Sequence, residues 1–358
     1  VPWRQSRASK PCLLVAVALG TLLLAGCAGP DSSKGAQSAS SRTLRLGFFP
    51  NITHAQALLG VARGDFARAL GDEARLQTSI FNAGPSVIES IYSNRLDIAY
   101  VGPAPAINGF LRSRGEEVRV IAGAVDNGVL IVANSRRNIT SLDDLRGKTI
   151  AVPQIGNSQD ISARAFVIET LKTTLAERGG DTNVIPVANP DIETLMSKNQ
   201  LDAAWVPEPW GSRLVAAGLA TVVAHERDLW PDNRFSLTCV IARRKFIEEH
   251  PDLVRRFLAA HIAVTRDLSA DRLRYAHAIN EQLGLLTGKT LADRVIEGAL
   301  RNVEFSVEPD RRTFETFFAK GRLLGVFPGE FLDINQLIDR APLDAALSGA
   351  NPPAEGAP

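Results

Sequence analysis

Residues 153–160 read Pro-Gln-Ile-Gly-Asn-Ser-Gln-Asp and stand between two apolar segments. The run before them, Thr149-Ile150-Ala151-Val152, is rich in β-branched residues and predicts a buried strand that Pro153 ends. The run after them, Ile161 to Leu171, predicts a helix. Gln154, Gly156, Asn157, Ser158 and Gln159 fill the corner with neutral hydrogen-bonding groups, and no Lys or Arg is among them. Such a corner can bind. A helix start offers unpaired N–H groups and roughly half an elementary charge of positive potential. With amide and hydroxyl donors beside it, and with Gly156 letting the backbone come close, it suits an oxyanion held without a cation. The other reading is a plain helix cap, worth about 1 kcal/mol.

Five more strand ends have a similar make. They read "FFPNITH", "FNAGPS", "VGPAPA", "VANPD" and "WVPEPW". Asn51 or Thr53, Asn82 with Gly84, and Asn157 or Ser158 stand where helix caps stand. In open α/β sheets, ligands bind beyond the carboxyl ends of the strands.

The elements that position these corners repeat. "NRLDIAYVGPAP", from Asn94, matches "NQLDAAWVPEPW", from Asn199. Upstream, "GPSVIESIYS" matches "NPDIETLMSK" with a one-residue slip. Each copy predicts a helix, a corner at Asn-x-Leu-Asp, a short strand and a proline turn. With the segments that precede them, both copies alternate strand and helix, which predicts a parallel sheet with covering helices in each of two similar lobes. Crossings near "GVLIVAN" and "LTCVIA" divide the chain into lobe 1, residues 43–132 and 240–358, and lobe 2, residues 133–239. After residue 242 the chain turns helical, with a break at Pro251 and further helices expected over 271–283, 290–301, 309–323 and 333–347, all packing on lobe 1.

Other chemistries are poorly served. "GNSQD" lacks the spacing of a nucleophile elbow, and no phosphate-binding glycine loop follows a strand. No cofactor or metal is expected. His225, His250, His261 and His277 have no close metal-ligand spacing and read as surface or packing residues. The net charge of +1 gives no footprint for nucleic acid.

The N-terminal stretch has its own logic. Arg4, Arg7 and Lys10 precede an apolar run from Cys12 to Ala25, the shape of a secretory leader over residues 1–26. Leu24-Ala25-Gly26-Cys27 resembles the bacterial lipobox, which implies that Cys27 becomes a lipidated N-terminus; the alternative is a plain leader cut at a small residue. Residues 27–42 have the composition of a flexible tether. Of the three cysteines only Cys239 remains in the body, in an apolar run, and reads as a buried small hydrophobe.

"LRLGFFPNITHAQAL", "FNAGPSVIESIYSNRLDIAYVGPAPAI", "SLDDLRGKTIAVPQIGNSQD" and "LDAAWVPEPW" resemble the solute-binding proteins of ABC importers, in the aliphatic sulfonate, taurine and nitrate branch. The resemblance covers roughly residues 43–320. It implies a type II periplasmic-binding-protein-like fold, two Rossmann-like α/β lobes joined by a two-crossing hinge. It also implies a monomeric, non-enzymatic receptor outside the cytoplasm, tethered to the membrane by lipid. That receptor would pass a small sulfonate-like anion to the permease subunits; taurine, nitrate and a thiamine-pyrimidine precursor are the alternative ligands. An enzyme on the same scaffold is the rival class. The pyrimidine synthase of this fold carries a cysteine-rich iron-binding stretch, whereas this body has one cysteine.

Carried over by position, the family's cleft falls on Phe49, Asn51, Thr53 and His54, then on Asn82, Gly84 and Ser86, then on Gly102, Pro103 and Ala104. The second lobe adds Gln154, Gly156, Asn157, Ser158 and Gln159, with Trp205, Glu208 and Trp210. Four residues keep two readings. His54 contacts the ligand or is a simple polar contact near a helix start. Trp205 and Trp210 wall an apolar part of the ligand or belong to the core. Glu208 meets a ligand ammonium or braces the proline turn.

Overall fold

The computed structural model describes residues 42–327 and 333–350. Cys27 and the leader lie outside the described residues, as does the tether apart from Arg42, which opens the first strand. The strands are β1 (Arg42–Phe48), β2 (Ala74–Ile80), β3 (Ile98–Val101), β4 (Val118–Asn127), β5 (Val129–Asn134), β6 (Thr149–Val152), β7 (Asn183–Pro186), β8 (Ala203–Pro207), β9 (Ala220–His225), β10 (Ser236–Arg243) and β11 (Val303–Phe305).

They form two sheets, ordered β11-β4-β10-β3-β1-β2 and β7-β6-β8-β5-β9. The expected parallel sheets are in fact mixed. β2, β1 and β3 are parallel, as are β7, β6 and β8, but β10 and β5 run against their neighbours. The reason is connectivity. A chain that crosses between sheets enters the next one at its facing edge and has to run away from that edge. β5 and β10 are the strands that receive the two crossings.

Sheet membership places the crossings at Gly128 and just before Ser236, a few residues from the divisions expected at 132/133 and 239/240. Asn127 and Gly128 both take left-handed backbone, φ +63° and +85°, which turns the chain sharply out of β4. The crossings are bonded to each other. Asn127 N–H donates to the Phe235 carbonyl at 2.9 Å, and Phe235 N–H donates to Asn127 Oδ1 at 3.3 Å. Arg234 pairs with the buried Asp126 beside them, at 2.6 Å.

The two copies of the repeat use their matching residues alike. Asn94 and Asn199 end their helices in left-handed backbone, φ +53° and +58°, a conformation Asn tolerates better than most residues. Asp97 accepts the N–H of Arg45 in β1, and Asp202 accepts the N–H of Thr149 in β6, both at 2.9 Å. Leu96 and Leu201 are buried, and so are Tyr100 and Trp205 at one strand position.

The long helix Pro251–Ala270 buries Leu253, Phe257, Leu258, His261, Val264 and Leu268 with the core of the six-stranded sheet. Four further helices follow it, Ala276–Thr287, Asp293–Arg301, Arg311–Leu324 and Ala341–Ala350. They do not all stay with the first sheet. Arg311–Leu324 packs on both Pro103–Arg112 and Ser158–Glu169, and Asp293–Arg301 packs on Trp210–Ala216. The C-terminal helices therefore span both lobes. Cys239 is buried in β10, its thiol donating to the Val101 carbonyl.

Two predictions follow from buried polar groups. Asp97 is fully enclosed and is paired with Arg45 and with the buried Arg243, so Asp97→Ala strands buried charge and should cost about 3 kcal/mol. Asp202 is more exposed, and Asp202→Ala should cost about 1 kcal/mol; urea unfolding midpoints compare the two. His261 lies between Tyr100 Oη (2.8 Å) and the Gly123 carbonyl (2.9 Å). Burial pushes its pKa down to about 4, so folding holds the ring neutral. Its contribution to stability is then full above the unfolded value near 6.5 and is lost as pH falls toward 4. Relative to His261→Gln, the wild type should lose about 2 kcal/mol between pH 7 and pH 5, read from unfolding curves at each pH.

Candidate functional site

Each of the six strand-end corners delivers at least one residue to a recess of about 40 Å³ between the sheets. Phe49, Asn51, Thr53 and His54 come from the end of β1, Asn82 and Gly84 from β2, and Gly102 and Pro105 from β3. Across from them stand Pro153, Asn157, Ser158 and Gln159 after β6, Asn189 after β7, and Pro207 in β8. Four helices begin at this recess: Gly84–Tyr92, Pro103–Arg112, Ser158–Glu169 and Asn189–Ser197. Each has two turns or more, so their N-terminal potentials add over the same small volume.

The lining is neutral. Among the described residues no Lys, Arg, Asp or Glu lines the recess. His54 is buried, and burial pushes its pKa down to about 3. Phe49 N–H donates to His54 Nδ1 at 3.4 Å, so the ring proton belongs on Nε2. The one charged group at the start of helix Ser158–Glu169 is Asp160, which is buried and pairs with Arg164. Its carboxylate also accepts the Gly156 N–H at 2.8 Å, and Asn157 Oδ1 accepts the Asp160 N–H at 2.8 Å.

Asn157 is thus a helix cap that also lines the recess. Gly156 has another role than the one expected. It does not line the recess, its φ is +78°, and a Cβ there would meet nothing within 4 Å. It is glycine for the left-handed turn, not for close approach. The close approaches fall elsewhere. A methyl group on Gly102 would come within 2.5 Å of Ser158 Oγ, and one on Gly84 within 2.3 Å of Pro105. The Ala104 N–H also reaches Ser158 Oγ, at 3.4 Å, so the two sheets' corners touch here.

A larger cavity, about 750 Å³, adjoins the recess and shares Asn51, Asn82, Ala83, Pro153 and Asn189 with it. Ser86, Gln154 and Trp210 line this cavity. Trp210 Nε1–H donates to Asn51 Oδ1 at 2.9 Å, bonding one lobe's corner to the other's.

Besides Gly156, four expected residues lie outside both spaces. Trp205 is fully buried in β8, where it donates to the buried Glu226 at 2.6 Å and packs on Phe166, so it is a core residue. Glu208 is also fully buried. It accepts the Ser212 N–H (3.0 Å) and hydroxyl (2.7 Å) and the Asn302 amide (2.6 Å), and so braces the proline turn and ties it to the chain before β11. Burial raises its pKa, and these donors oppose the rise. Pro103 and Ala104 start their helix behind Gly102 without lining either space.

Asn189 lines the recess and was not among the residues expected from the sequence. Its Oδ1 is buried and, among the described residues, has no hydrogen-bond partner. The signal was there, because Asn189-Pro190 stands in the second copy of the repeat where the first has Gly84-Pro85. Thr238 of β10 was also missed, since a β-branched strand residue looks like core.

Two α/β lobes with facing strand ends and a recess between them define the architecture of the periplasmic binding proteins. The alkanesulfonate-binding protein SsuA of Xanthomonas axonopodis pv. citri, solved bound to MOPS, has this fold. It is similar to 85% of this chain and to 100% of its own, with a TM-score of 0.67 and 20% identity. Residues 37–279 match the NMT1-like family, and the chain belongs to it. A Bacillus subtilis protein named for binding aliphatic sulfonates is 26% identical over 82% of this chain and 83% of its own. A Brucella abortus binding protein is 28% identical over 51% of this chain, and the match spans about half of that protein, 54%.

The double role of Asn157 is testable. Asn157→Ala removes a cap and should lower stability by about 1 kcal/mol. Ser158→Ala removes only a long contact to Ala104 and should leave the unfolding midpoint nearly unchanged, as differential scanning fluorimetry would show.

Proposed function

We propose that the protein is an extracytoplasmic solute-binding receptor of an ABC importer, not an enzyme. It captures a small organic anion, an aliphatic sulfonate, between its lobes and hands it to the permease. Cys27 anchors it to the membrane by lipid. The single observation that carries this reading is the recess itself, where four helix starts and neutral side chains from both lobes surround one small space. Asn51, Thr53, His54, Asn82, Asn157, Ser158, Gln159 and Asn189 are the proposed ligand contacts.

Neutral donors suit a receptor that has to release its cargo. They stabilise an oxyanion, yet when it leaves no buried cation stays behind without solvation. The Asn189 amide can turn either its carbonyl or its NH2 toward the recess, and so accommodates either polarity of ligand group. Two lobes joined by two crossings close by a hinge.

A thermal-shift panel of ethanesulfonate, butanesulfonate, taurine, nitrate and a hydroxymethylpyrimidine tests the reading. Sulfonates should raise the melting temperature, and the bound molecule should be recovered unchanged after denaturation. Ser158→Ala and Gln159→Ala should each weaken binding about ten- to a hundredfold, as expected for a hydrogen bond to a charged group. Normal affinity in both variants would remove the second lobe from the site. A wild type that no anion stabilises would sink the receptor assignment.

A further inference from the structure

Four neutral side chains of the recess are not free to choose how they meet a ligand. Asn51, His54, Asn157 and Ser158 each have an atom that already accepts a hydrogen bond from the protein itself. The groups that give those bonds are the Trp210 indole N–H (2.9 Å) and the backbone N–H groups of Phe49 (3.4 Å), Asp160 (2.8 Å) and Ala104 (3.4 Å). All four can only donate. Asn51 and Asn157 must therefore turn Oδ1 toward them, and His54 its bare Nδ1. What is left for a ligand is a donor in each case: the NH2 of Asn51 and of Asn157, Nε2–H of His54 and the hydroxyl proton of Ser158.

These bonds are of two kinds. Phe49 to His54 and Asp160 to Asn157 each lie within one corner, so they stand whatever the lobes do. Trp210 to Asn51 and Ala104 to Ser158 cross from one lobe to the other, and the Trp210 bond is the shorter. Trp210 lines the larger cavity but not the recess, whereas Asn51 lines both. The bond thus draws Oδ1 of Asn51 toward the cavity and leaves the NH2 for the recess. Of the two cations that line that cavity, Arg213 and Lys289, Arg213 is the one set against the indole. It is paired with Glu193 at 2.7 Å, and its guanidinium lies 5.5 Å from the ring centre, which steadies the ring by its face.

We propose that Trp210 is a positioning residue. As the lobes meet, its indole N–H takes up the Asn51 carbonyl and commits that amide to donating into the recess. This rests on the assignment of the recess as an anion site. With the lobes apart, Asn51 can present either end, and an arriving anion has to order the amide itself. With the lobes together, contact between the lobes has already met that cost. Preference for a head that only accepts hydrogen bonds is in this way completed by closure and not built into either lobe alone.

The test is a double-mutant cycle read by titration calorimetry. The probes are sodium ethanesulfonate, nitrate and acetate, and the one that wild type binds most tightly is used throughout. Trp210→Phe keeps an aromatic ring in the cavity wall and removes the N–H. It should weaken binding about three- to tenfold, and Asn51→Ala about ten- to a hundredfold. In the Asn51→Ala background, Trp210→Phe should change affinity by less than about twofold, because the group it orients is gone. Losses that multiply would mean that Trp210 acts through packing or by touching the ligand, and would overturn the positioning role while leaving the anion site standing. Wild-type affinity in Trp210→Phe would do the same. A wild type that binds none of the three anions would overturn the anion site and the positioning role together.

Discussion

Two hydrogen bonds between Asn127 and Phe235 set the geometry on which everything else rests. They tie the two crossings side by side where the sheets meet. Because the crossings are paired, β5 and β10 both start at the same seam and run outward from it. The parallel strands of each sheet run against them and end at that seam, and so six strand-to-helix corners arrive at one place. Were the crossings apart, each corner would be an ordinary capped helix start facing water.

The chemistry of the seam follows from how the nearby carboxylates are disposed. Asp160 is matched by Arg164, Asp126 by Arg234, and Glu208 by three donors from Ser212 and Asn302. Glu226 lies buried among Ser162, Trp205 and Trp230, with Lys320 over the Trp230 ring. Each of these four carboxylates is thus satisfied by its own lobe or by a brace between lobes. What remains facing the recess is uncharged, and its potential comes from backbone dipoles alone.

Much of this was legible in the sequence because the repeat is a backbone signal. Asn94 and Asn199 mark a left-handed turn, and Asp97 and Asp202 mark a strand edge to be held. Such roles are local, and residue type reveals them. The side of a strand on which a residue faces is less legible here, since β8 is buried on both faces and shows no alternation. Trp205 and Trp210 therefore looked alike, although one lies within the strand and the other past its end. Glu208 could be placed only once Asn302, 94 positions away, was known to meet it. Leu283 and Leu286 near the end of helix Ala276–Thr287, and Leu291 after it, line the larger cavity but carried no signal, because an apolar residue at a helix end has the same pattern whether it faces solvent or a cavity.

The uncharged recess has a consequence for kinetics. A lining without ions leaves little long-range field to draw a charged molecule inward. Encounter then proceeds at the unassisted diffusional rate and is nearly indifferent to ionic strength, since no exposed charge in the recess is there to be screened. Discrimination between candidate molecules falls on residence time, which short-range contacts set after arrival. A protein so built samples its surroundings without bias and selects by how long it holds on.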